Sequence, residues 1–199
     1  MGTPPVDEPG HDAEILEGCR RGDPEAQRRA FDRYRDRVYA IALRFLKGDE
    51  AAAQDVTQEV FVKMFRAAPA FRAEARLSTW IYRIAVNACT DEMRRRRRLL
   101  FFGDLPDAIH PTTSPDGTPG ELHGEILTAI HRLPAKLRIT VLLRYVEDLP
   151  YDDIARALAC TPGTIASRLH RAHAILAREL AHLGPAAAGL RELNHDATA

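Results

Sequence analysis

Residues 149–176 read LPYDDIARALACTPGTIASRLHRAHAIL, and this stretch decides the fold. Ile154, Ala155 and Leu158 mark the apolar side of a short helix, and Ile165, Leu169, Ala172 and Leu176 mark that of a longer one. Ala159-Cys160-Thr161 leaves room for only a tight corner between them, so the two apolar stripes must clasp each other as a helix-turn-helix. Thr161 is placed to cap the second helix, and Pro162 suits its first position, where a missing N–H costs nothing. The polar face left over is Thr164, Ser167, Arg168 and Arg171. Arginine can donate two hydrogen bonds to guanine, while hydroxyls and helix N-terminal amides can hold phosphates, so these four are candidate duplex readers. An ordinary helical hairpin with a solvated basic face has the same spacing. The acids Glu147, Asp148, Asp152 and Asp153 just upstream would be repelled by phosphate and are expected to face away from a duplex.

Outward from this corner the apolar residues recur at three and four positions, and nothing alternates with the period of a strand, so the chain reads as all-α. A helix opens at Asp23-Pro24 and runs to about Leu46, with Phe31, Tyr34, Val38, Ile41, Ala42 and Phe45 on its buried side. A second runs from about Asp49 to Ala67, closed by Pro69, and a third from a cap near Ser78 to about Arg98. Gly103 to Gly120 holds four prolines and three glycines, too many breakers for a regular element, and reads as a flexible linker. Beyond it lie helices at about Glu121 to Leu133, Ala135 to Val146, Tyr151 to Ala159 and Pro162 to Leu180. The expected organisation is two small helical domains, residues 13–102 and 121–183. They are joined by the linker 103–120 and flanked by a disordered acidic tail 1–12 and a C-terminal tail 184–199.

The 199 residues carry 28 basic and 28 acidic side chains, but the neutral total hides a segregation. Residues 18–102 hold 19 bases against 11 acids, an excess that points to an anionic partner for that part. No apolar run approaches the ~18 residues that a membrane span needs, and the acidic, Pro-rich start is unlike a secretory signal, so a cytoplasmic protein without membrane insertion is expected. Cys19, Cys89 and Cys160 are odd in number and far apart, and each is expected to fill a small core space. His170 and His173 lack the HExxH pattern of a helical zinc site, so neither metal nor cofactor is expected and an enzyme is disfavoured.

The opening stretch resembles the helix-turn-helix of region 4 of bacterial sigma factors. AAAQDVTQEVFVKMFR (residues 51–66) and FRAEARLSTWIYRIAVNACTDEMRRRRR (residues 71–98) resemble region 2 of the same proteins, in the same order. The direct passage through a Pro/Gly linker leaves no room for further regions, so the resemblance is to the extracytoplasmic-function (ECF) group of the sigma-70 family. It implies a monomeric, dissociable subunit that binds core RNA polymerase, recognises minus-thirty-five and minus-ten promoter elements and promotes melting, without catalysis of its own. It also implies an anti-sigma factor as a partner.

Residue by residue, Asp55, Gln58 and Glu59 match the segment that docks on the clamp helices of the polymerase's largest subunit. Arg83, Asn87 and Arg94, with Arg72, Arg76 and Ser78 from the loop before the helix, match the surface that receives the melted minus-ten strand. Asn87 suits a splayed base because its amide both donates and accepts. Trp80 could stack on a base but is expected to anchor the helix. The run Arg94 to Arg98 is expected to touch duplex backbone, adding salt-dependent affinity and little sequence information. Departures from the family pattern are Ala73, Arg76, Ala166 and His173, the last of which weakens the basic stripe near neutral pH. The competing reading is a helix-turn-helix repressor or activator that binds its operator without core polymerase.

Overall fold

The computed structural model describes residues 9–71, 76–101 and 119–183; the expected linker from 103 to 118, the C-terminal tail and Arg72 lie outside them. Eight α-helices follow in order: α1 Pro9–Arg20, α2 Pro24–Phe45, α3 Glu50–Ala67, α4 Leu77–Phe101, α5 Pro119–Arg132, α6 Ala135–Tyr145, α7 Tyr151–Leu158 and α8 Pro162–Glu179. The helix caps follow the sequence closely. The carboxylate of Asp23 accepts from the Glu25 amide at 3.0 Å, and that of Asp49 accepts from the Ala52 amide at 2.9 Å. Between α2 and α3 the chain reverses through Lys47 (φ 62°) and Gly48 (φ 86°).

The first difference from expectation is α1, which begins inside the stretch expected to be a disordered tail. Ile15, Leu16 and Cys19 are buried against α2, and Asp12 is buried too, where it accepts from the Tyr34 hydroxyl at 2.7 Å and lies 3.2 Å from Arg33. The second is the start of α4. The Trp80 amide donates to the Arg76 carbonyl at 3.1 Å, so the helix is already under way at Leu77, and Ser78 is inside it rather than capping it.

The buried apolar side chains form one continuous cluster across both halves, α1–α4 and α5–α8. Within the first half α2, α3 and α4 pack on one another; between the halves α7 packs on α4 and α6 on α2. α4 is therefore buried along two stripes. Ile81, Ala85 and Ala88 are buried, and so are Thr79 and Tyr82, which bond to the second half.

The polar seam between the halves is specific. The Tyr82 hydroxyl donates to Glu147, whose side chain is 3% exposed, and Arg37 stands 3.8 Å from the same carboxylate. The Thr79 hydroxyl donates to Asp153 at 3.2 Å, and Arg156 pairs with that carboxylate at 2.5 Å. Arg138, 3% exposed, donates to the Phe45 carbonyl at 2.6 Å and to the His131 and Leu133 carbonyls at 2.8 and 3.0 Å. One guanidinium thus ties together the C-terminal ends of α2 and α5, where the carbonyl ends of helix dipoles favour a cation. Glu147 and Asp153, expected only to face away from a duplex, are interface residues.

Candidate nucleic-acid interface

At the helix-turn-helix, α7 ends on Ala159 in the left-handed region (φ 50°, ψ 51°), which lets the chain turn sharply into α8. The Thr161 hydroxyl accepts from the Thr164 amide at 3.2 Å, the expected cap, and also lies 2.9 Å from the Thr164 hydroxyl. Thr164 is thereby engaged in holding the helix start, and Ser167 donates to the Thr164 carbonyl at 3.0 Å. Arg171 is exposed, with its Nε donating to the Ser167 carbonyl at 3.2 Å. Arg168 is half-buried, its guanidinium 3.8 Å from Cys160 Sγ across the corner. All four expected duplex readers therefore share one face of α8. His173 does not belong to it: it is 1% exposed and bonds the Tyr145 hydroxyl at 2.7 Å, so it packs α8 against α6 rather than weakening a basic stripe.

On α4, Arg83 and Asn87 are exposed one turn apart and Arg94 two turns further on, and Arg76 is exposed just before the helix. Ser78, by contrast, is 2% exposed, so the expected strand contact there is not available in this conformation. Trp80 is half-buried and stacks on Phe71, ring centroids 4.2 Å apart at 15°, while Arg20 of α1 donates to the Phe71 carbonyl. That stack anchors the helix start, as expected. Beside it a recess of about 450 Å³ is bordered by Lys63, Trp80, Ile84, Asn87, Asp91 and Arg94. Lys63 was not singled out from the sequence, because its place beside the recess depends on how α3 packs on α4.

The arginine run divides. Arg96 donates to Asp49 Oδ2 at 2.8 Å and to Glu92 at 2.7 Å, tying the end of α4 to the cap of α3. Hydrogen bonds from the Ala52 amide and from Arg96 hold the Asp49 carboxyl below its ordinary pKa. Arg95 pairs with Glu92 at 2.8 Å, Arg94 lies 3.5 Å from Asp91, and Arg97 and Arg98 are exposed. Arg96 is thus a structural cation rather than a backbone contact. On α3, Asp55, Gln58 and Glu59 are all exposed on one side, with Glu59 paired to Lys63 at 2.6 Å.

The faces of α4 and α8 that carry the expected DNA contacts meet. A cleft of about 470 Å³ is lined by Arg83, Asn87, Arg94 and Arg97 from α4, Lys136 from α6 and Arg168 from α8, and no carboxylate borders it. Lys136 escapes sequence reading because it becomes part of this cationic wall only when the halves pack together. Among the described residues no helix is long and apolar enough to cross a membrane.

Residues 30–99 match the family model for sigma-70 region 2, and residues 123–176 match that for sigma-70 region 4. The RNA polymerase sigma-H factor of Pseudomonas aeruginosa is 33% identical over 187 residues, which cover 85% of this chain and 93% of that protein. The ECF RNA polymerase sigma-E factor of Haemophilus influenzae is 30% identical over 181 residues, 85% of this chain and 95% of that one. The fold is similar to that of the sigma factor RpoE of Bartonella quintana, solved with the anti-sigma factor NepR (TM-score 0.63, 24% identity, 77% of this chain and 95% of that one). With both regions matched in order and curated relatives aligned over nearly their whole length, the chain belongs to the ECF group of the sigma-70 family of RNA polymerase sigma factors.

Proposed function

We propose that this chain directs core RNA polymerase to promoters. In this reading Asp55, Gln58 and Glu59 on α3 dock on the clamp helices of the largest subunit. Arg168 and Arg171 read the minus-thirty-five duplex from the major groove, with Ser167 and the capped start of α8 against phosphate. Arg83, Asn87, Arg94 and Arg76 receive the melted minus-ten strand, and Arg97 and Arg98 rest on duplex backbone upstream. The protein works as a cytoplasmic monomer with no cofactor, and an anti-sigma factor is its proposed negative partner.

The observation that supports this best is the recess beside α4. Asn87 stands exposed at its rim with Arg94 nearby, and its volume of about 450 Å³ is ample for a splayed base. A repressor that reads only duplex DNA has no use for such a recess.

The test is transcription from a fragmented genomic library by purified core polymerase, with and without this protein, followed by mapping of transcript starts. The reading expects core-dependent starts that share two spaced upstream motifs. Sequence-specific binding by the protein alone, without new starts, would overturn it. Asn87→Ala should then lower open-complex yield by about tenfold, the scale of one base contact, while core binding stays normal. Unchanged yield would remove Asn87 from the strand-binding surface.

A further inference from the structure

None of the residues assigned to promoter reading above comes from α1, yet the end of that helix reaches the wall of the recess beside α4. Arg20, the last residue of α1, donates from its guanidinium to the carbonyl of Phe71, 51 positions further along the chain. The Phe71 ring in turn stacks on Trp80, and Trp80 borders the recess with Lys63, Ile84 and Asn87. Trp80, Ile84 and Asn87 follow one another at four and three residues, so they share one face of α4, with the indole two turns before the amide.

Phe71 depends on such a hold. It follows the short 3-10 turn Ala68–Ala70 in extended backbone (φ −72°, ψ 124°), so no helix ladder fixes it. Its amide donates to the Ala68 carbonyl at 3.2 Å and its carbonyl takes the Arg20 bond, one tie on each side of the residue. Without Arg20 only the first tie remains, and the carbonyl loses a charged donor. Helix α1 is a firm base for that bond, because Ile15, Leu16 and Cys19 are buried and Asp12 accepts from the Tyr34 hydroxyl. Glu17, 3.6 Å from the Arg20 guanidinium, steadies the fork from the other side.

We propose that Arg20 is a positioning residue for the melted minus-ten strand: by holding the Phe71 backbone it fixes the Phe71–Trp80 stack as the wall against which a splayed base lies beside Asn87. The proposal deepens the promoter-reading function above and rests on it. A base held by an aromatic wall and one amide needs both placed to within about 0.5 Å, so a loosened wall lowers affinity although Arg20 itself touches no nucleotide. Trp80 is the only tryptophan of the chain, so its emission reports on this stack alone.

The test compares the full chain with Arg20→Met, which keeps the aliphatic stem and removes every donor, and with Arg20→Lys, which returns a cationic donor without the planar fork. Arg21→Met is the matched control, since Arg21 is exposed and pairs with the same Glu17. In the free chain, acrylamide should quench Trp80 more readily in Arg20→Met than in wild type, with unchanged helical content by circular dichroism and the lysine variant in between. In holoenzyme reconstituted with core polymerase, affinity for a single-stranded oligonucleotide carrying the mapped minus-ten motif should fall by about tenfold in Arg20→Met, the scale of one charge-assisted hydrogen bond. Core binding should stay normal, and lysine should restore part of the loss. A merely structural tie would lower Tm and leave both quenching and strand affinity of the folded protein unchanged, and that result would overturn the proposal. Equal effects from Arg21→Met would overturn it too. Arg20→Gln, uncharged and shorter in reach, gives the same readings where the methionine variant folds poorly. Wild-type holoenzyme that does not retain the oligonucleotide would sink the promoter-reading function and this proposal with it, whereas equal retention by wild type and Arg20→Met would sink the proposal alone.

Discussion

In the proposed function Arg168 reads a base, and its surroundings in α8 suit that role. Its guanidinium lies 3.8 Å from Cys160 Sγ and the side chain is half-buried, so the fork loses less freedom on binding than a fully solvated arginine would. Arg168→Ala should cost ~1–3 kcal/mol of discrimination at one base pair of the upstream element without unfolding the chain. Lysine should not restore it, since an ammonium cannot make the bidentate contact. Competition binding of the holoenzyme to cognate and singly mismatched promoters measures this, and equal discrimination by Arg168→Ala would refute the assignment. A few residues away, Ala159 holds a left-handed conformation (φ 50°, ψ 51°) that disfavours a Cβ. Ala159→Gly should stabilise the protein by about 1 kcal/mol, visible as a rise of roughly 2–4 °C in Tm. A fall in Tm would mean that the Ala159 methyl group contributes more to packing than the turn costs. Neither Cys160 nor the left-handed turn could be assigned its role from spacing alone. The spacing did place Thr161 as the cap, because a threonine before Pro162 at a helix start has one dominant local use.

Helices with a broad apolar stripe and a clear cap were legible as elements: α2, α3 and the α7–α8 corner lie within a residue or two of their expected limits. Helix α1 was not, because three buried residues, Ile15, Leu16 and Cys19, amid acids give too narrow a stripe in twelve residues to stand out. What secures α1 is tertiary: Asp12 reaches Tyr34 on α2, and Gly18 permits a close crossing. A Cβ on Gly18 would stand 2.3 Å from the Cβ of Ala26, so no methyl fits without moving the helices apart. Alanine normally favours a helix over glycine by about 1 kcal/mol, yet here the overpacking of ~1–3 kcal/mol should win. Gly18→Ala should therefore lower Tm and speed amide exchange across α1 first, and a stabilised variant would show that α1 is not clamped where the structure has it. The same limit hid Ser78 and Arg96. A serine before an apolar run looks like a cap, and five arginines look like one patch, until the Arg76 carbonyl and the Asp49 carboxylate take the roles that spacing had left open.

At the scale of the whole molecule, contact between the halves is not legible in the sequence, because the bonds that join them link residues 65, 74 and 93 positions apart and leave no periodic trace. Two titratable groups in that contact make the closed form sensitive to pH, in opposite directions. Burial pushes the Glu147 carboxyl above its ordinary value of 4.5, against the opposing pull of the Tyr82 hydrogen bond and of Arg37 and Arg44 on α2. The closed form thus binds a proton at Glu147 more tightly than an open, hydrated form does. Its contribution to closing is fully present below 4.5 and is lost as pH rises through the raised value. His131 does the reverse. Burial, then Arg138 and Lys47, hold its pKa below the usual 6.5, against a backbone hydrogen bond with Arg44, so acidification through that range charges it more readily in the open form and favours opening. Wild type carries both effects, and the variants separate them. On acidification from neutral pH, Glu147→Gln should leave a chain that opens more steeply than wild type, because of these two groups only the histidine is left to titrate. His131→Gln should close more steeply over the same span. Scattering of the full chain across this range reads both slopes. Slopes that do not separate in these directions would mean that neither group changes its surroundings when the halves part.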